Sequence, residues 1–332
     1  MARRIVVVGA SAGGVEALIA IAKGLPPDLG VPLAVVLHVG ATSSGALPAI
    51  LSRSGPLDAR HARDGEPLEP GRIYVAPPDL HLLVEDGVTR LARGPRENGH
   101  RPAIDPLFRS AAASYGPGTV AVVLSGARDD GAAGVAAVAA MGGRVLVQDP
   151  EDAIYPSMPE NAIAADHPEY VVPVTELAAV MARIAAEPLS SAPARETEDI
   201  EVEEDYAKFD AQAVERDRAP GRPGPFGCPA CGGVLWEAED DAVLRFRCRV
   251  GHAYGAESLL EAEAEVVEEA LWTALRALQE QGHLARRVAR RLRAHNLPER
   301  AERYERQAVE SEQHVSVLRE VLLGHHGGEE GE

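Results

Sequence analysis

Lysine is almost missing from this chain of 332 residues: Lys23 and Lys208 are the whole supply, and arginine carries the remaining positive charge. That bias matches genomic base composition better than any physical need, and no function follows from it. Lys and Arg together number 33 against 51 Asp and Glu, a formal charge of -18. A surface that acidic repels phosphate backbones, which excludes generic nucleic-acid binding. Aromatic residues are 4% of the chain, so Ala, Val and Leu must fill the core. No apolar run approaches the roughly 18–20 residues of a membrane span, which excludes insertion by a helix. The apolar stretch Arg4–Ala10 is too short for the core of a signal peptide and lacks a cleavage site. A cytoplasmic protein is expected. Cysteine is scarce as well. Cys228, Cys231 and Cys248 lie within 21 positions of one another, a poor disulfide framework and a good start to a metal site.

What the chain does have is a hydrophobic content of 45%, enough for a real core, and a length that suggests about two domains. Up to about residue 185, apolar strand-length runs (Ile5–Val8, Leu33–Leu37, Val120–Leu124, Arg144–Val147) alternate with helical patterns at Val15–Leu25, Asp105–Tyr115 and Gly134–Met141. Near-continuous apolar strands separated by helices predict an α/β, doubly wound, mostly parallel sheet covered on both faces. Ile73–Ala76 and Leu80–Val84, flanking Pro77-Pro78-Asp79, read as a hairpin. The stretch 186–225 has linker composition, with seven acidic side chains between Glu196 and Asp205 and three prolines between Arg216 and Pro225. A small cysteine-bearing module is expected at 226–255, a helical hairpin or coiled coil at 256–323, and a frayed tail at 324–332. The hairpin follows from two heptad stripes: Leu260, Ala264, Val267, Leu271, Ala274, Leu278, Ala285, Val288 and Leu292, then Ala301, Tyr304, Ala308, Val315, Leu318 and Leu322.

Three polar loops follow strand runs in the first domain. Gly9-Ala10-Ser11-Ala12-Gly13-Gly14 places a serine on a glycine-opened strand-to-helix turn, where the helix N-terminus offers free N–H groups to a developing oxyanion. The same turn with no chemistry would be a phosphate-binding or plain turn; it is not a P-loop, because no Gly-Lys-[Ser/Thr] follows. Val36-Leu37-His38-Val39 ends the next strand, so His38 can emerge beside Ser11 as its base. Ser125-Gly126-Ala127-Arg128-Asp129-Asp130-Gly131 supplies a carboxylate to orient that imidazole. Spacing leaves Asp129 and Asp130 equally eligible, and either fits a turn or helix N-cap residue.

These three segments, with Asp64-Gly65-Glu66, Pro70-Gly71-Arg72-Ile73-Tyr74-Val75-Ala76-Pro77-Pro78, His81, the stretch His100–Ala112 and Ser157-Met158-Pro159, resemble the chemotaxis protein-glutamate methylesterase (CheB) family in collinear order over about residues 3–183. The resemblance implies that family's fold, with Ser11 as nucleophile, His38 as general base and acid, and Asp130, the aspartate directly before Gly-Ala-x-Gly, as orienting carboxylate. It implies hydrolysis of glutamate γ-methyl esters on a methylated receptor-like protein through an acyl-serine, together with glutamine deamidation. Two departures stand out. Ala127-Arg128 replaces the family's usual Met-Gly near an N–H associated with its oxyanion hole. The chain also starts directly on the first catalytic strand, so a preceding phosphorylatable receiver domain is not expected.

Further on, Cys228-Pro229-Ala230-Cys231 and Cys248-Arg249-Val250-Gly251-His252 form a C-x2-C…C-x3-H arrangement. Cys228, Cys231, Cys248 and His252 are expected to close the tetrahedron of one structural Zn2+ in a ribbon, with no open position for an activated water. The long linker is expected to keep this module apart from the Ser11 edge. The 256–323 helices, acidic at their start and basic at Arg286–Arg293, offer a surface for a helix–helix partner. Two rival readings are a catalytically degenerate scaffold, favoured by Ala127-Arg128, and a nucleotide-binding α/β domain, which rests on Gly9–Gly14 alone.

Overall fold

The computed structural model describes residues 4–166, 168–189, 221–238 and 243–325. The acidic run at 196–205, most of the linker and the end of the tail lie outside the described residues. Residues Met1–Leu259 make one compact unit and Leu260–Glu332 a second.

The first unit is built on strands β1 (Ile5–Ala10), β2 (Leu33–Leu37), β3 (Asp58–His61), β4 (Arg72–Val75), β5 (His81–Glu85), β6 (Val88–Ala92), β7 (Thr119–Val123), β8 (Arg144–Gln148) and β9 (Tyr170–Val172). Seven of these pair in parallel in the order β3-β4-β2-β1-β7-β8-β9. The chain moves from β1 to one side of the sheet and returns to the other side at β7. That reversal opens a crevice at the carboxyl ends of β1, β2 and β7, the usual place for a site in such sheets. Helices α1 (Gly14–Gly24), α2 (Leu47–Ser54) and α6 (Val174–Ala186) cover one face, and α3 (Ile104–Tyr115), α4 (Ala132–Ala140) and α5 (Ser157–Asp166) the other. Alternation along β1 shows why its strand is all apolar. Val6 and Val8 pack with Leu18, Ile21 and Met181, while Ile5 and Val7 pack with Leu107, Phe108 and Val135. Each such side chain, fully buried, contributes about 1.5–3 kcal/mol.

The expected hairpin lies elsewhere. Ile73–Val75 belongs to β4 in the parallel sheet, and the hairpin is β5 with β6. Its turn is Asp86-Gly87, both at positive φ (47° and 83°), the two-residue turn whose twist matches the flanking strands. Pro77-Pro78 instead ends β4.

Strands β10 (Arg222–Gly227), β11 (Val234–Glu237), β12 (Arg245–Cys248) and β13 (Ala253–Gly255) form a four-stranded antiparallel meander. The ribbon therefore begins at Arg222 rather than Phe226. Pro223 and Pro225 suggested linker, but β10 is an edge strand, where a residue without an N–H is tolerated.

Helices α7 (Ala256–Ala294) and α8 (Pro298–His325) follow. They turn at Asn296 in the left-handed region (φ 59°) and restart on Pro298, which suits a first helical position. The antiparallel seam holds Leu271, Leu275 and Leu278 against Val315, Leu318 and Leu322. Ala285, Ala289, Ala301 and Ala308 are buried further along, and Arg293–Glu305 and Arg286–Glu312 ion pairs flank it. The expected stripe is shifted: Leu275 and Ala289 are buried in place of Ala274 and Val288, while Leu260 and Val267 are 73% and 53% exposed. Length accounts for the exposed beginning of α7. A 28-residue α8 can cover only as much of the 39-residue α7 as lies nearest the turn.

Candidate active site

Ser11 leaves β1 on a turn that its neighbours hold closely. Its N–H donates to the Ser125 carbonyl (3.0 Å) and its carbonyl accepts the Gly14 N–H (2.9 Å). Gly13 sits at φ 71°, and a Cβ there would lie 2.6 Å from Ser125 Oγ and 2.8 Å from Ile154 Cβ. A Cβ on Gly126 would come within 2.9 Å of Ser11 Cβ. Gly126 thus clears space for Ser11, and Gly13 lets the turn pass close to Ser125 and Ile154. Ser125 takes the Ser11 N–H and Ser11 takes the Gly14 N–H, while the other amides at the start of α1 face outward without an intrahelical partner.

His38 follows β2 and is held by its own N–H on the Ala10 carbonyl (3.0 Å). Its Nδ1 lies 3.1 Å from Ser11 Oγ and its Nε2 2.6 Å from Asp130 Oδ2. The His38 and Asp130 side chains are 4% and 2% exposed. Asp130 accepts three further hydrogen bonds: Ile104 N–H on Oδ2 (2.7 Å), and Asp105 N–H (3.2 Å) and Asn98 Nδ2 (2.9 Å) on Oδ1. Two of these donors are first-turn amides of α3, which have no partner within the helix and lie at its positive end. Burial alone would raise the Asp130 carboxyl, but the His38 hydrogen bond and charge and the Ile104 N–H hold it well below the usual carboxylate range.

Spacing left Asp129 and Asp130 equivalent; geometry separates them. Asp130 meets His38. Asp129 turns away and caps α7, accepting Glu257 N–H (3.0 Å), Ser258 N–H (3.2 Å) and the Ser258 hydroxyl. It is an N-cap aspartate for a helix more than a hundred residues downstream.

Three residues that local sequence patterns did not point to complete the site. The His100 ring stacks on His38, centroids 3.7 Å apart and 13° from parallel. Burial, then the adjacent His38, lower its pKa to about 3, so the stacking partner is neutral. Asp105 accepts Gly131 N–H (3.1 Å) and Gly134 N–H (2.7 Å), tying the start of α4 to α3. Burial and the neighbouring Asp130 push Asp105 up to about 7. Asn98, buried and at φ 52°, bridges Asp105 and Asp130. In the sequence Asn98-Gly99 signals only a turn. A cavity of about 280 Å³ lined by His38, Gly40, Arg96, His100 and Arg101 adjoins the imidazole.

Arg128 adopts φ 69°, a conformation open to glycine that costs an arginine about 1 kcal/mol. Its N–H is used by Ser157 Oγ (3.1 Å) and its carbonyl by Asn161 Nδ2 (3.1 Å). The loop is thus pinned to α5 in spite of the larger residue.

In the ribbon, the ligating atoms of Cys228, Cys231, Cys248 and His252 all lie within 4.8 Å of one another. Cys231 Sγ is 3.7 Å from Cys248 Sγ, which is 3.5 Å from His252 Nδ1. A tetrahedral ion with metal–sulfur bonds of about 2.3 Å needs sulfurs roughly 3.8 Å apart, so the four residues fit a metal ion. Each pair sits on a tight turn, with Gly232 N–H on Cys228 O (2.7 Å) and Gly251 N–H on Cys248 O (2.9 Å). The expected separation from the Ser11 edge does not hold. The ribbon belongs to the same compact unit, and Gly255 N–H donates to Asn98 Oδ1 at 2.8 Å. Chain distance is not spatial distance, and the linker's length allows the ribbon to fold back.

A sequence profile of the CheB methylesterases matches residues 6–181, over half of the chain. The protein-glutamate methylesterase/protein-glutamine glutaminase 2 of Anaeromyxobacter dehalogenans is 40% identical over 173 residues, 52% of this chain and 51% of that protein. This chain therefore spans about half the length of that relative. A Leptospira interrogans relative is 38% identical over 180 residues, covering 54% of this chain and 93% of its own. The crystal structure of the Thermotoga maritima CheB methylesterase catalytic domain matches 55% of this chain and 100% of its own, with a TM-score of 0.53 and 32% identity. The profile spans the α/β part that carries Ser11, His38 and Asp130, and by that match the chain belongs to the CheB methylesterase family.

Proposed function

We propose that the protein is a serine hydrolase that removes methyl groups from glutamate γ-methyl esters on a methylated receptor-like protein, and that it also deamidates glutamine side chains. The observation that carries this reading is the hydrogen-bonded chain from Ser11 Oγ through His38 to Asp130 at the carboxyl edge of the sheet. With its Nε2 proton on Asp130, His38 presents a bare Nδ1 to the serine hydroxyl. As Ser11 Oγ attacks the γ-carbonyl carbon, its proton passes to His38, and the ionised Asp130 stabilises the resulting imidazolium. The bond to the methoxy oxygen then breaks, and His38 returns the proton to give methanol. Water attacks the acyl-serine through the same base, and the Oγ–carbon bond breaks to release glutamate. For glutamine the leaving group is ammonia. The amides of the turn between Ser11 and α1, Ala12 and Gly13 among them, are the candidates for oxyanion donors.

Cys228, Cys231, Cys248 and His252 would hold one Zn2+ in a closed shell, where it supplies folding energy and no activated water. A fluorophosphonate probe tests the enzyme reading. Labelling is expected on Ser11, located by peptide mass spectrometry, and lost in Ser11→Ala with little change in thermal stability. A degenerate scaffold would show no labelling at Ser11.

A further inference from the structure

The ribbon meets the site through buried polar groups. Asn98 is 3% exposed. Its N–H donates to the Ala253 carbonyl (2.8 Å), and its Oδ1 accepts the Gly255 N–H (2.8 Å), both in β13. Its Nδ2 donates to Asp105 Oδ2 (3.0 Å) and to Asp130 Oδ1 (2.9 Å). Reversing the amide would set its oxygen against two carboxylates, so only one orientation satisfies all three side-chain partners. One amide therefore joins the last ribbon strand to the carboxylate that orients His38.

Next to it, Glu97 is 1% exposed and receives Arg109 from α3 on both oxygens (2.9 and 2.7 Å) and Arg247 from β12 (3.3 Å). Arg247 also donates to the Gly251 carbonyl (2.7 Å), inside the turn that presents Cys248 and His252. Hydrogen bonds thus tie the ribbon to the adjacent residues Glu97, through Arg247, and Asn98, through β13, and Asn98 carries the connection on to Asp130.

We propose that the ribbon is a positioning element for the Asp130 carboxylate and that Asn98 is the residue through which it acts, so that filling the four-ligand site sets the rate at Ser11. The inference rests on the esterase and metal-site readings above. The ribbon has little apolar interior, and a bound ion supplies much of the stability of such modules. When the ribbon loosens, Asn98 loses the two β13 partners that hold its left-handed backbone and its amide in place. Asp130 then loses one of its four donors, and His38 is held less firmly in the tautomer that faces Ser11. The ion does no chemistry; it keeps an asparagine in register.

The test uses the full chain purified with zinc. Asn98→Gly is the informative variant, because glycine accepts φ 52° and keeps the backbone N–H on Ala253 while removing only the side-chain bridge. With a fluorophosphonate probe, kinact should fall roughly tenfold to a hundredfold, as for loss of a supporting hydrogen bond, with KI nearly constant. The far-downfield proton resonance of the His38–Asp130 hydrogen bond should broaden or shift. Chelating zinc from the unmodified protein should lower kinact by a similar factor, restored on adding zinc, and should add less than about twofold to Asn98→Gly. Arg247→Met, which leaves Ser11, His38 and Asp130 untouched, should make kinact sensitive to lower chelator concentrations. Independent, multiplying losses from chelation and Asn98→Gly would overturn the proposal. So would a labelled Ser11 whose rate ignores zinc. Failure of Ser11 to label at all in the zinc-loaded protein would overturn the esterase reading and this inference with it.

Discussion

Exchanging the oxygen of one carboxylate for an amide nitrogen, in Asp130→Asn, separates two adjacent aspartates that the sequence presents as equals. Asp130 accepts from four donors, two on each oxygen. An asparagine offers one oxygen and one NH2 group, so two of the four buried donors must face another donor, at about 1–3 kcal/mol each. If the NH2 group takes the Oδ2 position, His38 must turn a lone pair toward it. The imidazole proton then sits on Nδ1, facing Ser11, where it cannot accept the hydroxyl proton. If the oxygen takes that position, the tautomer survives but the charge that stabilises the imidazolium is gone. The same exchange in the serine-protease triad costs about 10⁴ in rate, and a loss of roughly 10³–10⁴ in fluorophosphonate labelling is expected here. Asp129→Asn differs in kind. An asparagine still caps α7 with its oxygen but turns its NH2 toward one of the donors that Asp129 accepts from Glu257 and Ser258, at about 1–3 kcal/mol, and labelling should fall less than tenfold. The assay is the labelling rate constant for both variants, with circular dichroism to match folded fractions. Comparable defects in the two would refute the assignment of Asp130 to His38.

Three further outcomes are expected. Elemental analysis of protein purified without chelator should give one zinc per chain, and Cys231→Ser should lower that content; a zinc-free chain with an ordered ribbon would remove the metal site. His100 is half-buried and neutral, with its pKa lowered from 6.5 to about 3, so its contribution is complete above pH 6.5 and declines as pH falls toward 3, by up to a few kcal/mol. Urea unfolding at pH 7.5 and pH 4.5 should show a smaller acid-side loss for His100→Phe than for the unmodified protein, and equal losses would contradict the neutral stacked ring. Gly13→Ala forces a Cβ into φ 71° and to within 2.6 Å of Ser125 Oγ. It should lower stability by at least about 1 kcal/mol and slow Ser11 labelling, and an unchanged melting temperature would argue against this turn geometry.

By itself the sequence determined whatever depends on neighbours along the chain. The unbroken apolar runs at Ile5–Val8, Leu33–Leu37 and Val120–Leu124 specified strands covered on both faces, because only a strand buried on two sides is apolar at every position. The glycines around Ser11 specified a sharp strand-to-helix turn, and the spacing of Cys228, Cys231, Cys248 and His252 specified two ligand-bearing turns. Asp86-Gly87 is likewise a local hairpin signal, since both residues accept positive φ. Tertiary structure decided the rest. Asp129 and Asp130 are chemically identical and one residue apart, and only the positions of His38 and of α7 tell which carboxylate meets which donor. How much of α7 is covered depended on how far α8 reaches. Nothing along the chain links Asn98 to Gly255 or Glu97 to Arg247, since each is an ordinary polar residue whose partner lies some 150 positions away. Hydrophobic burial writes a period into the sequence because it acts on whole faces. A hydrogen bond between two distant side chains acts at one point, and leaves no period to read.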